Sequence, residues 1–217
     1  MKIILIHGIG NYNPGWSAEM KAAQILGVPK SDIIEFNYED LMEDNWANKI
    51  LVLTARLAAS YYATPVAGFA ANYVQDYGDD ILMYFVVPGV RKKIMNRLAT
   101  VLQEYPNALV IGFSLGSIVA YETLKNQPKN AKDRVLITLG STLGSPVLQI
   151  LVKRFLKVSN RERPNVQGWF NIYSPLDVLS GRIEGLGCDQ KDQFKVKSIH
   201  RMKNYLKQVK RLLPQFF

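Results

Sequence analysis

The spacing of apolar and polar residues divides the chain into two kinds of segment. Ile3-Ile4-Leu5-Ile6 is a continuous apolar, largely β-branched run closed by His7-Gly8. A run apolar at every position, not at every second one, predicts a strand buried on both faces, as in a parallel sheet. Similar segments cover residues 32–38, 107–113, 133–141 and 168–174, and a short sixth covers 194–199. Helical spacing falls between them at residues 17–26, with Ser17 as the expected N-cap, at 90–104, at 115–126 and around 147–157. Strand alternating with helix predicts an α/β architecture with a mainly parallel sheet of about six strands.

Residues 39–80 interrupt this alternation. The segment opens acidic, with Glu39, Asp40, Glu43 and Asp44, and then spaces Trp46, Ile50, Leu53, Leu57 and Tyr61 as a helix does. No charged residue occurs from Leu57 to Gln75. Ser60, Thr64, Pro65, Gly68, Asn72 and Gln75 argue against a membrane span. The expectation is a helical hairpin, broken near Pro65–Gly68 and packed over the rest of a single domain covering residues 1–217.

Composition adds three constraints. Basic residues number 27 against 18 acidic, a net charge of +9, which bears on association and not on fold. Cys188 is the single cysteine, so neither an internal disulfide nor a cysteine metal cluster is available, and a reducing compartment fits. The apolar run near the N-terminus covers only Ile3 to Ile6, below the roughly 7–15 residues of a signal-peptide core, so a cytoplasmic protein is expected.

Ligand sites of parallel sheets gather at the carboxyl ends of strands. Here those ends carry His7-Gly8-Ile9-Gly10, then Ser114 in Gly112-Phe113-Ser114-Leu115-Gly116, then Asp177, then His200. A serine hydroxyl is a weak nucleophile and needs a base within hydrogen-bond reach, usually an imidazole held in one tautomer by a carboxylate. It must also protrude on a sharp strand-to-helix turn, where small residues two positions before and after relieve crowding. Gly112 and Gly116 provide that room. The chain holds two histidines. His7 lies before a glycine-rich turn and suits loop support, whereas His200, expected to open the last helix, is the candidate base. Asp177 follows a strand by a few residues and is the candidate acid, with Asp189 and Asp192 as alternatives in a polar loop. Gly140–Ser145 repeats the glycine spacing around Thr142, so Ser141 and Ser145 are expected beside the site.

Taken together, His7-Gly8-Ile9-Gly10, the Gly-Phe-Ser-Leu-Gly motif, Asp177 and His200 resemble the serine hydrolases of the α/β-hydrolase superfamily, in particular small lipase- or esterase-like members. The resemblance spans nearly the whole chain. It implies a three-layer α/β-hydrolase fold with a reduced sheet, since the antiparallel strands that open larger members are missing. It also implies a Ser114-His200-Asp177 triad, an oxyanion hole from the backbone N–H groups of Leu115 and Ile9, and a lid from residues 39–80. The implied reaction is hydrolysis of a carboxylic ester, of a small molecule or a lipid, through an acyl-enzyme, with no cofactor and no metal.

Two further readings stay open at this level. One is a binding or regulatory protein on a hydrolase fold. The other concerns the C-terminal region, where residues 193–217 carry seven Lys or Arg and no Asp or Glu. Met202, Tyr205, Leu206, Val209, Leu212 and Leu213 share one helical face, which either docks on the sheet or lies against an anionic membrane. No zinc spacing or RNA-binding motif accompanies the charge, so no nucleic-acid partner is expected.

Overall fold

The computed structural model describes residues 1–10, 12–42, 83–128, 133–145, 162–177, 179–189 and 192–215. The hairpin expected within residues 39–80 and the helix expected around 147–157 lie almost entirely outside them.

Six strands form one sheet: β1 Ile3–Ile6, β2 Ile33–Phe36, β3 Leu109–Phe113, β4 Val135–Leu139, β5 Gly168–Tyr173 and β6 Gln193–Lys195. All pairings are parallel, in the order β2-β1-β3-β4-β5-β6. All four residues of β1 are fully buried and all five of β3 are buried, as the unbroken apolar runs require. β6 is shorter than the sequence pattern suggested. After Lys195 only Val196 N–H still reaches β5, at Tyr173 O, and Ser198 N–H turns instead to the Ser174 hydroxyl.

The described helices are α1 Trp16–Glu19, α2 Ala22–Leu26, α3 Pro88–Glu104, α4 Leu115–Lys125 and α5 Met202–Leu212. Alternate strand residues feed two cores, one on each face of the sheet. Ile4, Ile6, Val110 and Leu136 pack with α3 and α4. Ile3, Leu5, Ile111, Ile137 and Leu139 pack with α1, α2 and α5. The apolar face of α5 is therefore core, with Tyr205, Leu206 and Val209 fully buried.

Two local expectations are corrected. The single helix over residues 17–26 is two short ones, because Lys21 adopts a left-handed conformation (φ 60°) between them. Nor does Ser17 cap that helix. The Glu35 carboxylate on β2 accepts hydrogen bonds from Gly15 N–H and Ser17 N–H, both at 2.8 Å, and from the Ser17 hydroxyl. A side chain eighteen residues away in sequence thus does the work of a local cap.

The order of strands fixes where a site can form. From β1 the chain steps to β2 on one side, then returns to place β3 on the other side of β1. The reversal explains why α1 and α2 cover one face and α3 and α4 the other, since right-handed crossovers in opposite directions lie on opposite faces. It also leaves a crevice between the carboxyl ends of β1 and β3. His7-Gly8 and Ser114 occupy those two ends.

Candidate active site

Ser114 joins β3 to α4 with φ 52° and ψ −122°, a conformation that non-glycine residues avoid at a cost of about 1–3 kcal/mol. The surroundings hold it there. Ser114 N–H bonds to Leu139 O at 3.0 Å. Its own carbonyl accepts from Ser117 N–H at 3.0 Å and from the Ser117 hydroxyl at 2.5 Å. Ser141 hydrogen-bonds that hydroxyl at 2.7 Å and receives Leu143 N–H, so the turn after β4 buttresses the turn after β3.

The glycines are needed for space. A Cβ on Gly112 would stand 2.6 Å from Gly116 O, and one on Gly116 would stand 2.2 Å from His7 O. A Cβ on Gly8 would meet Ser114 Cβ at 2.8 Å. Three backbone segments, from β1, β3 and α4, are thus pressed together around one hydroxyl.

His200 and Asp177 reach that hydroxyl from the far side. His200 Nε2 lies 2.8 Å from Ser114 Oγ, and Nδ1 lies 2.7 Å from Asp177 Oδ2. A carboxylate only accepts, so the Nδ1 proton faces Asp177 and Nε2 is left with its lone pair toward the serine O–H. His200 is not the first residue of the helix. It sits at φ 50° in the turn before Arg201, the N-cap of α5. Phe113 packs against its ring, with centroids 4.8 Å apart.

Asp177 is 4% exposed and receives two more donors. Leu179 N–H bonds to Oδ1 at 3.0 Å, and the Tyr205 hydroxyl bonds to Oδ2 at 2.6 Å. Burial, and then the hydrogen bond to Asp177, hold the Tyr205 phenol well above the ordinary tyrosine range. The hydroxyl therefore remains a donor at any working pH. The alternative acids take no part: Asp189 pairs with Arg163 at 3.4 Å, and neither it nor Asp192 contacts His200 among the described residues.

His7 lies apart from this chain of bonds. Its ring is fully buried, stacked between Tyr12 and Tyr38 at centroid distances of 4.4 and 4.3 Å, and its Nδ1–H donates to Gly8 O at 2.7 Å. Burial pulls its pKa down to about 4, against the opposing hydrogen bonds to Gly8 and Asn37. A neutral imidazole here braces the loop Gly8-Ile9-Gly10, and the Tyr38 hydroxyl pins His7 O and Gly8 O from the same side. Among the described residues no acceptor meets the backbone N–H of Leu115 or Ile9. Leu115 is the first residue of α4, where the helix dipole favours negative charge.

No family model and no curated protein matches this chain.

Sequence reasoning missed Tyr205 and Ser117 as parts of the site. Both lie on buried helical faces, where a residue's partner is set by the fold. A cleft of about 420 Å³ lined by Ser17, Lys21, Gln24, Lys30 and Glu35 lies beside β2, and none of the strand-end residues lines it. Among the described residues no three His, Cys, Asp or Glu side chains converge as metal ligands would, and no helix is long and apolar enough to cross a membrane.

Proposed function

We propose that the protein is a serine hydrolase that cleaves carboxylic esters by acyl transfer. The observation that carries this reading is the continuous hydrogen-bond chain from Ser114 Oγ through His200 to Asp177, ending on a serine held in a strained turn. Hydrogen bonding that orients a weak nucleophile, its base and the base's partner is what such catalysis needs.

In this mechanism Ser114 Oγ attacks the ester carbonyl while His200 Nε2 takes its proton. Asp177 stabilises the imidazolium and does not itself become protonated. The carbonyl oxygen gains charge as the carbon becomes tetrahedral, and the Leu115 and Ile9 N–H groups are the proposed donors to it. One such donor is worth about 3 kcal/mol of barrier in comparable sites. His200 then gives its proton to the departing alcohol, leaving Ser114 acylated. Water, deprotonated by His200, attacks the acyl carbon, and the proton returns to Ser114 Oγ as the acid leaves.

At the level of fold, the same proposal is a reduced α/β-hydrolase. The lid expected from residues 39–80 lies almost wholly outside the described residues and carries none of it. The test is hydrolysis of p-nitrophenyl acetate. Native protein should turn it over and Ser114→Ala should not. Turnover by Ser114→Ala near the native rate overturns the assignment, and inactivity of both points to a binding protein on this scaffold.

A further inference from the structure

The loops that carry Asp177 and His200 also carry the two most exposed large apolar side chains described, Leu176 at 62% and Ile199 at 65%. The two loops are tied together. The Ser174 hydroxyl accepts from Leu176 N–H at 3.1 Å and from Ser198 N–H at 3.2 Å. His200 and Asp177 add a second tie at 2.7 Å. Leu176 and Ile199 therefore lie on two adjoining loops, both exposed to water. Soluble surfaces carry single apolar residues at random, but an exposed aliphatic pair at the edge of a candidate site calls for a partner.

The charge around that pair is one-sided. Lys195, Lys197, Arg201, Lys203, Lys207, Lys210 and Arg211 are all exposed. Among the described residues none of the seven forms an ion pair. Lys197 and Arg201 flank Ile199 directly. Lys203, Lys207, Lys210 and Arg211 continue along α5 away from the rim, because the helix buries its apolar face on the sheet and turns its basic face outward, as far as Lys210 beside Gly27. The membrane contact expected from an amphipathic helix thus changes form: α5 cannot insert, but its outer face can attract phosphate while the rim aliphatics enter the interface.

We propose that this rim docks on anionic lipid bilayers, with the basic strip on the headgroups and Leu176 and Ile199 in the interface. Polybasic segments gain attraction with every Lys or Arg near an anionic surface, and a few aliphatic side chains add a salt-resistant component. A single-stranded nucleic acid would use the same charge but wants aromatic faces for stacking, and no described aromatic side chain is exposed. Docking of this kind sets the mouth of the Ser114 site against lipid. The consequence that the substrate is an ester held in the bilayer rests on the hydrolase reading; the docking does not.

The experiment is sedimentation of the full chain with vesicles of phosphatidylcholine alone or mixed with phosphatidylglycerol, at low and high salt. Binding should require phosphatidylglycerol and weaken with salt. Lys203→Glu with Lys207→Glu should lower partitioning at least about tenfold. That double variant should keep its thermal transition and its turnover of a soluble short-chain ester. Leu176→Ser with Ile199→Ser should weaken what binding persists at high salt. Equal sedimentation with both vesicle types, native-like binding by the charge-reversed variant, or capture of an oligonucleotide or acidic peptide without vesicle binding overturns the proposal. If native protein binds vesicles but neither hydrolyses the ester nor reacts with a serine probe, the hydrolase reading fails and the docking surface stands.

Discussion

Removing a single oxygen from Tyr205 probes the least obvious part of the site. Its hydroxyl donates to Asp177 Oδ2 at 2.6 Å, and that oxygen also receives the His200 Nδ1 proton at 2.7 Å. Leu179 N–H supplies the third donor, on Oδ1. Tyr205→Phe keeps the buried ring, packed 5.9 Å from Phe113 and against Gly140, and removes only the donor. A hydrogen bond to a charged group contributes about 1.5–3 kcal/mol, and the carboxylate left short of a donor stays buried. Taking about 2 kcal/mol, the thermal midpoint of a chain this size should fall by about 6 °C. The catalytic effect is separate. Oδ2 loses one of its two donors, so the carboxylate is held less firmly where it orients the His200 ring, and kcat/KM for a soluble ester should fall. Thermal melts and ester assays of native and Tyr205→Phe protein measure both effects. A native-like melt together with native-like turnover refutes the reasoning about Oδ2.

Three other outcomes follow from the same geometry. Asp177→Asn offers one oxygen where three donors converge, so one donor must face the new amide N–H groups; turnover should drop on the order of 10³–10⁴-fold, whereas Asp189→Asn should leave it unchanged. Gly116→Ala would force a methyl to within 2.2 Å of His7 O; because that neighbour is a backbone carbonyl and cannot swing away, urea unfolding should register a loss of about 3 kcal/mol, and a native-like midpoint would contradict the packing described. His7 falls from an ordinary 6.5 to about 4 in the folded protein. The unfolded chain therefore takes up a proton in that window while the folded chain does not, so stability present above about pH 6.5 is lost on acidification toward pH 4, by about 3 kcal/mol. A His7→Asn variant, less stable at neutral pH, should show a flatter pH slope in urea titrations.

Much of this arrangement was legible because the sequence states it locally. Ile3–Ile6 and Leu109–Phe113 announce strands buried on both faces, and Gly112 and Gly116 announce a crowded turn before any partner is known. With two histidines in the chain, few side chains can serve as the base. The choice among Asp177, Asp189 and Asp192 was different, because spacing cannot say which carboxylate curls back to His200. Glu35 capping α1 from β2, Lys21 breaking the first helix, and Tyr205 turning its hydroxyl from an apolar helix face to Asp177 were not legible in this way. Glu35 and Tyr205 depend on contacts made only once the sheet has brought distant segments together, and the Lys21 break is a left-handed backbone turn that side-chain spacing does not announce. Tyr205 in particular has the spacing of a core residue, and it is one; its polar tip carries the second role.

The central claim is that Ser114 is the activated nucleophile. Reaction of the native protein with a fluorophosphonate, followed by digestion and mass mapping, tests it at the atom concerned. The adduct should sit on Ser114 alone, and labelling should vanish in both Ser114→Ala and His200→Ala. An adduct on another serine such as Ser117 or Ser141, or undiminished labelling of the Ser114→Ala protein, would contradict the account.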